Sequence, residues 1–229
     1  MADKTSLRHA WQEAYAKISS RARWGQAAEK LRSLEPYRKA ATVFATPGPS
    51  LLQARINCLV DGKNLVMPAP SLRDGFFLLP ARSVPFRELT MAVTLKGLVK
   101  QGRLLKADAF PSLAIGLLLT DSLTVDLEGG RLGDGEGFFD LSCSLLYELG
   151  ALQEGWTAWT FILEELLSPV PLPMDPWDVQ LAGAITPAVI HPFAPSPRKP
   201  KIFWDVLSRD RIRRIDPLWK LFSAQVQQT

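Results

Sequence analysis

Three alternate glycines run into two aromatic residues and a carboxylate at residues 133–140, whose sequence is GDGEGFFD. Glycines let backbone N–H groups approach an anion closely, and the start of a helix adds about half a positive charge at that point. A carboxylate at the edge of such a loop, here Asp140, could hold Mg²⁺ against phosphate oxygens. These residue types in this order predict a phosphate-binding loop with an adjacent magnesium ligand.

The spacing of the glycines separates this loop from two common nucleotide-binding motifs. It lacks the Gly-Lys-Ser/Thr of a Walker A loop, and its pattern is GxGxG, not the GxGxxG of a dinucleotide fold. A structural turn without a ligand stays an alternative, because Gly129 and Gly130 just upstream indicate a hairpin turn. Asp140 could equally cap a helix, and Phe138 and Phe139 could belong to the core.

Helices and strands are predicted to alternate along the chain. The apolar run 113–119 predicts a strand before the glycine loop, and residues 141–152 predict a helix after it. Further helices are expected at 4–18, 26–34 and 51–60, further strands at 42–46, 64–68, 75–80, 156–163 and 179–185, and irregular structure at 81–111. This alternation favours a layered α/β fold with a mostly parallel sheet flanked by helices. Ligands of such sheets bind at the carboxyl ends of the strands, where the glycine loop would lie.

Length and composition exclude several classes of protein. A chain of 229 residues with 47% hydrophobic and 22% charged residues can form one large domain, or one domain with a tail. No apolar run reaches the roughly 20 residues of a membrane span, and the first residues lack a secretory signal, so a cytoplasmic location and no membrane partner are predicted. The chain has two cysteines and two histidines, which are Cys58, Cys143, His9 and His191. These are too few for a disulfide framework and for a zinc or histidine-rich metal site. Both thiols are expected to be buried.

The net charge is +4, and basic residues are concentrated in the N-terminal part and in residues 198–214. This distribution suits a polyanionic small ligand as well as nucleic acid, but no basic helix with aromatic stacking motifs is recognisable, so nucleic acid is the less favoured partner. Residues 1–190 are predicted to form the α/β domain and residues 191–229 a proline-rich linker with a helical tail. The linker prolines are Pro192, Pro195, Pro197 and Pro200. The apolar side chains of the tail are expected to dock on the body, with a partner-binding surface as the alternative. No pattern indicates an oligomeric state.

Residues 131–140, RLGDGEGFFD, resemble the RLGxGxGYYDR loop of 5-formyltetrahydrofolate cyclo-ligases, also called methenyltetrahydrofolate synthetases. Residues 4–8, KTSLR, are similar to the KxxLR helix at the N-terminus of that family. Residues 178–179 and 184–187 resemble its HDVxVDxIxTP ending, so the resemblance spans roughly residues 4–190. The forms of residues 62–73 and 199–204 look more similar to a divergent branch that contains the methenyltetrahydrofolate synthetase domain-containing proteins.

The resemblance implies a fold of the type shared with ribose-phosphate isomerases and CoA transferases, and it implies ATP, Mg²⁺ and a reduced folate as ligands. The implied reaction converts 5-formyltetrahydrofolate to 5,10-methenyltetrahydrofolate. In that reaction the formyl oxygen is phosphorylated, N10 closes onto the activated carbon, and phosphate departs. Such chemistry demands mainly positioning and charge neutralisation.

Carried over residue by residue, the resemblance implies eight ligand contacts. They are Lys4 and Arg8 for the triphosphate, Arg131 beside the loop, Gly133, Gly135 and Gly137 as the backbone cradle, Phe139 against the nucleotide, and Asp140 for Mg²⁺. The two basic residues on the N-terminal helix could instead belong to a solvated face.

The sequence departs from the family pattern at several site positions. Segment 46–51 contains no carboxylate, although the enzymes have a glutamate in this region, which helps to hold the folate. The loop carries two extra acids, Asp134 and Glu136, and the family's second loop tyrosine, following arginine and HDV histidine are Phe139, Leu141 and Trp177 here. These departures favour a second hypothesis, a non-catalytic or regulatory protein that binds a nucleotide or folate on the same fold.

Overall fold

The computed structural model describes residues 4–19, 22–194 and 199–226. The strands are β1 Thr42–Ala45, β2 Asn64–Pro68, β3 Phe76–Leu79, β4 Arg103–Leu104, β5 Ile115–Asp121, β6 Thr124–Asp126, β7 Arg131–Leu132, β8 Leu152–Phe161, β9 Leu167–Ser168, β10 Gly183–Ile185 and β11 Ile190–Pro192. The helices are α1 Lys4–Ile18, α2 Trp24–Ser33, α3 Glu35–Lys39, α4 Leu52–Val60, α5 Leu89–Ala92, α6 Leu95–Gln101, α7 Phe138–Glu148, α8 Arg209–Arg214 and α9 Asp216–Val226. Short 3₁₀ turns precede or link several of them. Among the described residues, no helix has the length and apolar character needed to cross a membrane.

The main sheet has eight strands in the order β11-β10-β8-β5-β1-β2-β3-β4. Its five central strands run parallel, from β10 through β8, β5 and β1 to β2. Antiparallel strands close both edges, β11 on one side and β3 with β4 on the other. The predicted α/β architecture with a mostly parallel sheet is confirmed.

Alternate side chains of the central strands enter two separate cores, one on each face of the sheet. Phe44 of β1 packs into the first core, while Val43 and Ala45 pack into the second. Helices α7, α8 and α9 contribute buried side chains to the first core, and α2 to α6 contribute to the second. Burial on both faces explains why strands such as β5 are nearly continuous apolar runs.

A smaller sheet has the order β7-β6-β9, and its strands β6 and β7 lie between β5 and the glycine loop in the sequence. Strands β6 and β7 form the hairpin that Gly129 and Gly130 predicted. The carboxylate of Asp126 fastens this hairpin, since it accepts backbone N–H bonds from Glu128 and Gly130 at 2.9 and 2.8 Å. The glycine loop therefore joins a strand to a helix, as predicted, and the strand that it follows is β7.

Two predicted elements around the site have different bounds in the structure. Helix α7 begins at Phe138 and ends at Glu148, not at 141 and 152, because left-handed Gly137 and Gly150, with φ of 65° and 69°, mark its two ends. The last predicted strand, 179–185, shrinks to Gly183–Ile185. Its first half is bound elsewhere, since Val179 donates its N–H to the Asp140 side chain at 2.9 Å.

Residues 81–111 were expected to be irregular, and this is wrong for part of the segment. It contains α5, α6 and β4. Helix α6 begins after Thr94, whose hydroxyl accepts the N–H of Gly97 at 3.1 Å. A threonine before an apolar run is a helix-start signal that the sequence does offer.

The C-terminal tail packs on the body, as predicted. Three of its side chains, Ile212, Ile215 and Leu218, are buried in the first core. Strand β11 crosses the predicted domain boundary at residue 190, which stays a prediction, and the linker prolines Pro195 and Pro197 lie outside the described residues.

Both cysteines are buried, as expected. Burial raises the pKa of the Cys58 thiol to about 12 and raises the pKa of the Cys143 thiol well above its ordinary value.

We expect Leu218→Ala to lower the free energy of unfolding by about 2–5 kcal/mol, because it opens a cavity where the tail meets the first core. Urea denaturation of the full chain measures this change. Val226→Ala, at the exposed end of the same helix, is the matched control and should cost less than about 0.5 kcal/mol. Equal effects of the two variants would contradict docking of the tail.

Candidate functional site

A cavity of about 550 Å³ opens at the carboxyl ends of the central parallel strands. Residues 46–49 after β1, 68–72 after β2 and 120–123 at the end of β5 form one part of its wall. Its volume lies within the range of about 300–1,000 Å³ that is usual for small-molecule sites. All eight residues predicted to contact ligands line this one cavity, namely Lys4, Arg8, Arg131, Gly133, Gly135, Gly137, Phe139 and Asp140.

The glycine loop forms another part of the wall, and the structure explains the presence of each of its glycines. Gly135 and Gly137 have φ of 98° and 65°, in the left-handed region that disfavours side chains. At Gly133 a Cβ would lie 2.8 Å from Nη1 of Arg131. Gly137 is the N-cap of α7, and no side chain caps that helix end. The first N–H groups of α7 are therefore open at the cavity wall.

A buried ion pair joins the start of the loop to the helix that follows it. Nη2 of Arg131 lies 2.6 Å from Oδ2 of Asp140, and the two side chains are only 7% and 11% exposed. The other carboxylate oxygen of Asp140 accepts the N–H of Val179 at 2.9 Å. The Arg131 guanidinium also lies over the Phe139 ring, 4.7 Å from its centre. Asp140 is thus not the helix cap, and Phe139 belongs to both the core and the cavity wall.

Two guanidinium nitrogens in this region are buried without a hydrogen-bond partner among the described residues. They are Nε of Arg8 and Nε of Arg131. A Cβ added to Gly135 would lie 3.3 Å from Nε of Arg8, so this donor is beside the glycine loop. Buried donors are rarely left unpaired, and a charged donor less than most. This arrangement fits an anion bound at the loop.

Lys4 is already engaged by two carboxylates of a distant segment. Its Nζ lies 2.5 Å from Oδ2 of Asp175 and forms a second ion pair with Asp178. The Lys4 side chain is only 15% exposed, so it does not lie on a solvated helix face. These contacts fasten α1 to the segment that precedes Val179.

Acidic side chains outnumber basic ones in the cavity wall. The basic residues are Lys4, Arg8 and Arg131, and the acidic residues are Asp121, Asp134, Asp140, Asp175 and Asp178. A polyanion therefore needs an accompanying cation to enter this cavity. Within the described ranges, no group of three or more His, Cys, Asp or Glu residues could hold a metal ion. Mg²⁺ needs only one or two carboxylates when substrate phosphates complete its coordination.

Sequence reasoning missed several residues that lie at the site. Arg211 of the tail donates from Nη2 to the carbonyl of Glu136 in the glycine loop, and its guanidinium lies 5.1 Å from the centre of the Phe138 ring. Asp121 and Tyr15 line the cavity, and burial, followed by the Asp121 charge, raises the pKa of the Tyr15 hydroxyl. An acid at the end of an apolar strand is a readable signal for Asp121, whereas nothing in the local sequence connects Arg211 to the loop.

The chain matches the model of the 5-formyltetrahydrofolate cyclo-ligase family over residues 1–187. The chain belongs to this family. The match confirms the resemblance carried by the glycine loop, the N-terminal helix and the segment around Val179.

Curated relatives of this cyclo-ligase family member include the methenyltetrahydrofolate synthase domain-containing proteins of mouse and human. They are 26% and 24% identical over 206 residues each, which is 88% of this chain but 55% and 53% of those proteins. The zebrafish protein of the same name is 25% identical over 200 residues, or 86% of this chain and 52% of that protein. The chain thus spans about half the length of the curated relatives it matches.

Two solved structures share the fold of the chain. The 5,10-methenyltetrahydrofolate synthetase of Aquifex aeolicus superposes with a TM-score of 0.55 at 17% identity, covering 89% of this chain and 99% of that protein. The enzyme of the same name from Mycoplasma pneumoniae gives a TM-score of 0.51 at 16% identity, with coverage of 81% and 99%. At these identities the likeness establishes the architecture alone.

We expect Asp140→Ala to destabilise the protein by about 3–5 kcal/mol, because it leaves the buried Arg131 charge and the Val179 N–H without a partner. Chemical denaturation measures this loss. Glu35→Ala, which breaks an exposed ion pair with Lys39, is the control and should leave stability nearly unchanged. A small effect of Asp140→Ala would mean that the pair does not hold the loop.

Proposed function

We propose that this protein is an ATP- and Mg²⁺-dependent cyclo-ligase that converts 5-formyltetrahydrofolate to 5,10-methenyltetrahydrofolate. The observation that carries the proposal is the pair of unpartnered, buried guanidinium donors of Arg8 and Arg131 beside an uncapped helix start. Membership of the cyclo-ligase family supports the choice of reaction. The likeness in fold to two synthetases is consistent with it.

The triphosphate would lie against the glycine loop. Backbone N–H groups at the start of α7 would donate to its oxygens, and Arg8 and Arg131 would donate through their unpartnered nitrogens. Arg211, from the C-terminal tail, is a further cation at the loop. The arginine that the family has after its loop aspartate is Leu141 in this chain. Bound ATP would supply the phosphoryl group that activates the formyl oxygen.

Mg²⁺ would offset the acidic excess of the cavity wall. Both carboxylate oxygens of Asp140 already accept a hydrogen bond, from Arg131 and from Val179, and each oxygen has a second lone pair. Because Mg²⁺ usually keeps several of its waters, Asp140 would contact it through its hydration shell. Asp134, which also lines the cavity, is a second carboxylate available to the ion.

A non-catalytic or regulatory binding protein is the second candidate. It is favoured by Lys4, the expected triphosphate contact, which is already paired with Asp175 and Asp178. The acidic excess of the wall and the loss of four family side chains, a glutamate, a tyrosine, an arginine and a histidine, point the same way. This candidate predicts stabilisation by Mg-ATP without formation of product.

We expect the wild-type chain with Mg-ATP and 5-formyltetrahydrofolate to form the methenyl product, and Gly135→Ala to weaken Mg-ATP binding by about tenfold or more. A methyl group at residue 135 would press on Nε of Arg8 and occupy the space that a phosphate oxygen needs. Calorimetric titration measures the affinity, and absorbance of the methenyl product measures turnover.

Gly155→Ala is the matched control for this experiment. Gly155 has a similar left-handed φ of 74°, but nothing lies within 4 Å of an added Cβ. It should therefore share the conformational strain and keep the nucleotide affinity. Binding of Mg-ATP or of 5-formyltetrahydrofolate without product would establish the second candidate, and binding of neither ligand by the wild type would overturn both.

A further inference from the structure

One carboxylate in the cavity lies away from the charged wall. The strand ends contribute residues 46–49, 68–72 and 120–123 to the lining, and Asp121 is the single charged side chain among them. The remaining charged lining residues come from α1, the glycine loop region and the segment 175–178. The lining thus divides into a highly charged part and a mostly uncharged part, and Asp121 is the one charged side chain of the mostly uncharged part.

Two residues of helix α1 relate the highly charged part of the cavity to the mostly uncharged part. Arg8 lies beside Gly135 of the glycine loop, whereas Tyr15, seven residues later on the same helix, interacts with the charge of Asp121. A rise of about 1.5 Å per residue separates these two positions by roughly 10 Å. Along α1, Asp121 is thus associated with the Tyr15 end of the helix and the glycine loop with the Arg8 end.

The position of Asp121 is built by its neighbours. Oδ1 accepts the hydroxyl of Thr46 at 3.2 Å. A Cβ on Gly48 would overlap the Asp121 carboxylate, and Gly48 has an ordinary φ of −50°, so only the close approach of Asp121 requires a glycine there. The absence of a side chain at residue 48 therefore leaves the space that the Asp121 carboxylate occupies.

A buried arginine holds the segment that Asp121 contacts. Nη1 of Arg55 donates to the carbonyls of Thr46 and Gly48 at 2.7 and 2.8 Å, and Nε donates to Val93 at 3.0 Å. Burial lowers the pKa of Arg55 to about 10, and the charge of Asp121 opposes this shift. The backbone segment that contacts Asp121 is therefore held in place, and the arginine that holds it carries the opposite charge.

The second oxygen, Oδ2, accepts no hydrogen bond from a described residue. Oδ2 lies against Gly48, and the uncharged part of the cavity wall includes the apolar rings of Pro47, Pro49, Pro68 and Pro70. A carboxylate with free lone pairs is best satisfied by two adjacent N–H donors on a planar group. An amidine-like edge on a flat ring would meet both the acid and the prolines.

We propose that Asp121 is the specificity-determining residue for the second substrate, and that it binds the N–H edge of a 2-aminopyrimidin-4-one ring such as that of a reduced pterin. This inference rests on the proposed function. It places the ring at the strand ends and leaves the glycine loop for the phosphates. It also supplies, from β5, the carboxylate that segment 46–51 lacks.

The test uses a tetrahydropterin without a glutamate tail and, separately, Mg-ATP as calorimetric probes of the full chain. Asp121→Asn keeps the size of the side chain but turns a donor toward the ring, so pterin affinity should fall about tenfold to hundredfold. Gly48→Ala displaces the carboxylate and should weaken pterin binding with little change in melting temperature. Mg-ATP affinity should stay within about twofold for both variants.

Asp108→Asn, an exposed acid outside the cavity, is the control and should bind both probes as the wild type does. Equal pterin affinities of wild type and Asp121→Asn, or no pterin binding by the wild type, would overturn the inference even if Mg-ATP binds. Pterin binding that depends on Asp121 without any Mg-ATP binding would support the inference and overturn the proposed function.

Discussion

The buried ion pair between Arg131 and Asp140 is the contact on which the geometry of the site depends. It links the end of the small sheet to the first turn of α7, so it fixes both ends of the glycine loop. Through Val179 the same carboxylate holds the segment that continues into β10. Two charges out of water are costly unless they are paired and hydrogen-bonded, so each group of the pair requires the other. The loop is thereby shaped before any ligand arrives.

The pair also explains how the proposed anion could bind despite the acidic wall of the cavity. It neutralises Arg131 in charge, yet it leaves Nε of that side chain and Nε of Arg8 as buried donors. Donors of this kind add directed hydrogen bonds where the total charge is unfavourable. A divalent cation that accompanies the anion would correct the total charge, so the proposal requires Mg²⁺ together with ATP.

Local patterns in the sequence predicted most of the elements and the full set of glycine-loop residues. Apolar periodicity identified α1, β1, β2 and β5, and glycine spacing identified the loop, because both signals depend on neighbours in sequence. The eight predicted contacts meet in one cavity at the carboxyl ends of the parallel strands, where α1, β7, the glycine loop and the first turn of α7 bring them together. Their roles as ligand contacts stay predictions.

Most features of the fold and the site that the sequence did not predict depend on contacts between residues far apart in sequence. The approach of Asp121 to Gly48, the pairing of Lys4 with Asp175, and the reach of Arg211 to the loop leave no local pattern. The bounds of β10 were wrong for the same reason, since Val179 binds Asp140 across the fold. The bounds of α7 were wrong although Gly137 and Gly150, which mark its ends, are local signals. Helix α6 was missed although its cap, Thr94, is a local signal.

A crystal structure with Mg²⁺ and a non-hydrolysable ATP analogue tests the central claim most directly, which is that the loop and its two free guanidinium donors form a phosphate site. The account predicts phosphate oxygens at the N–H groups of residues 135–139, within hydrogen-bond distance of Nε of Arg8 and of Arg131. A nucleotide bound elsewhere, with both of these nitrogens still unpartnered, would contradict it.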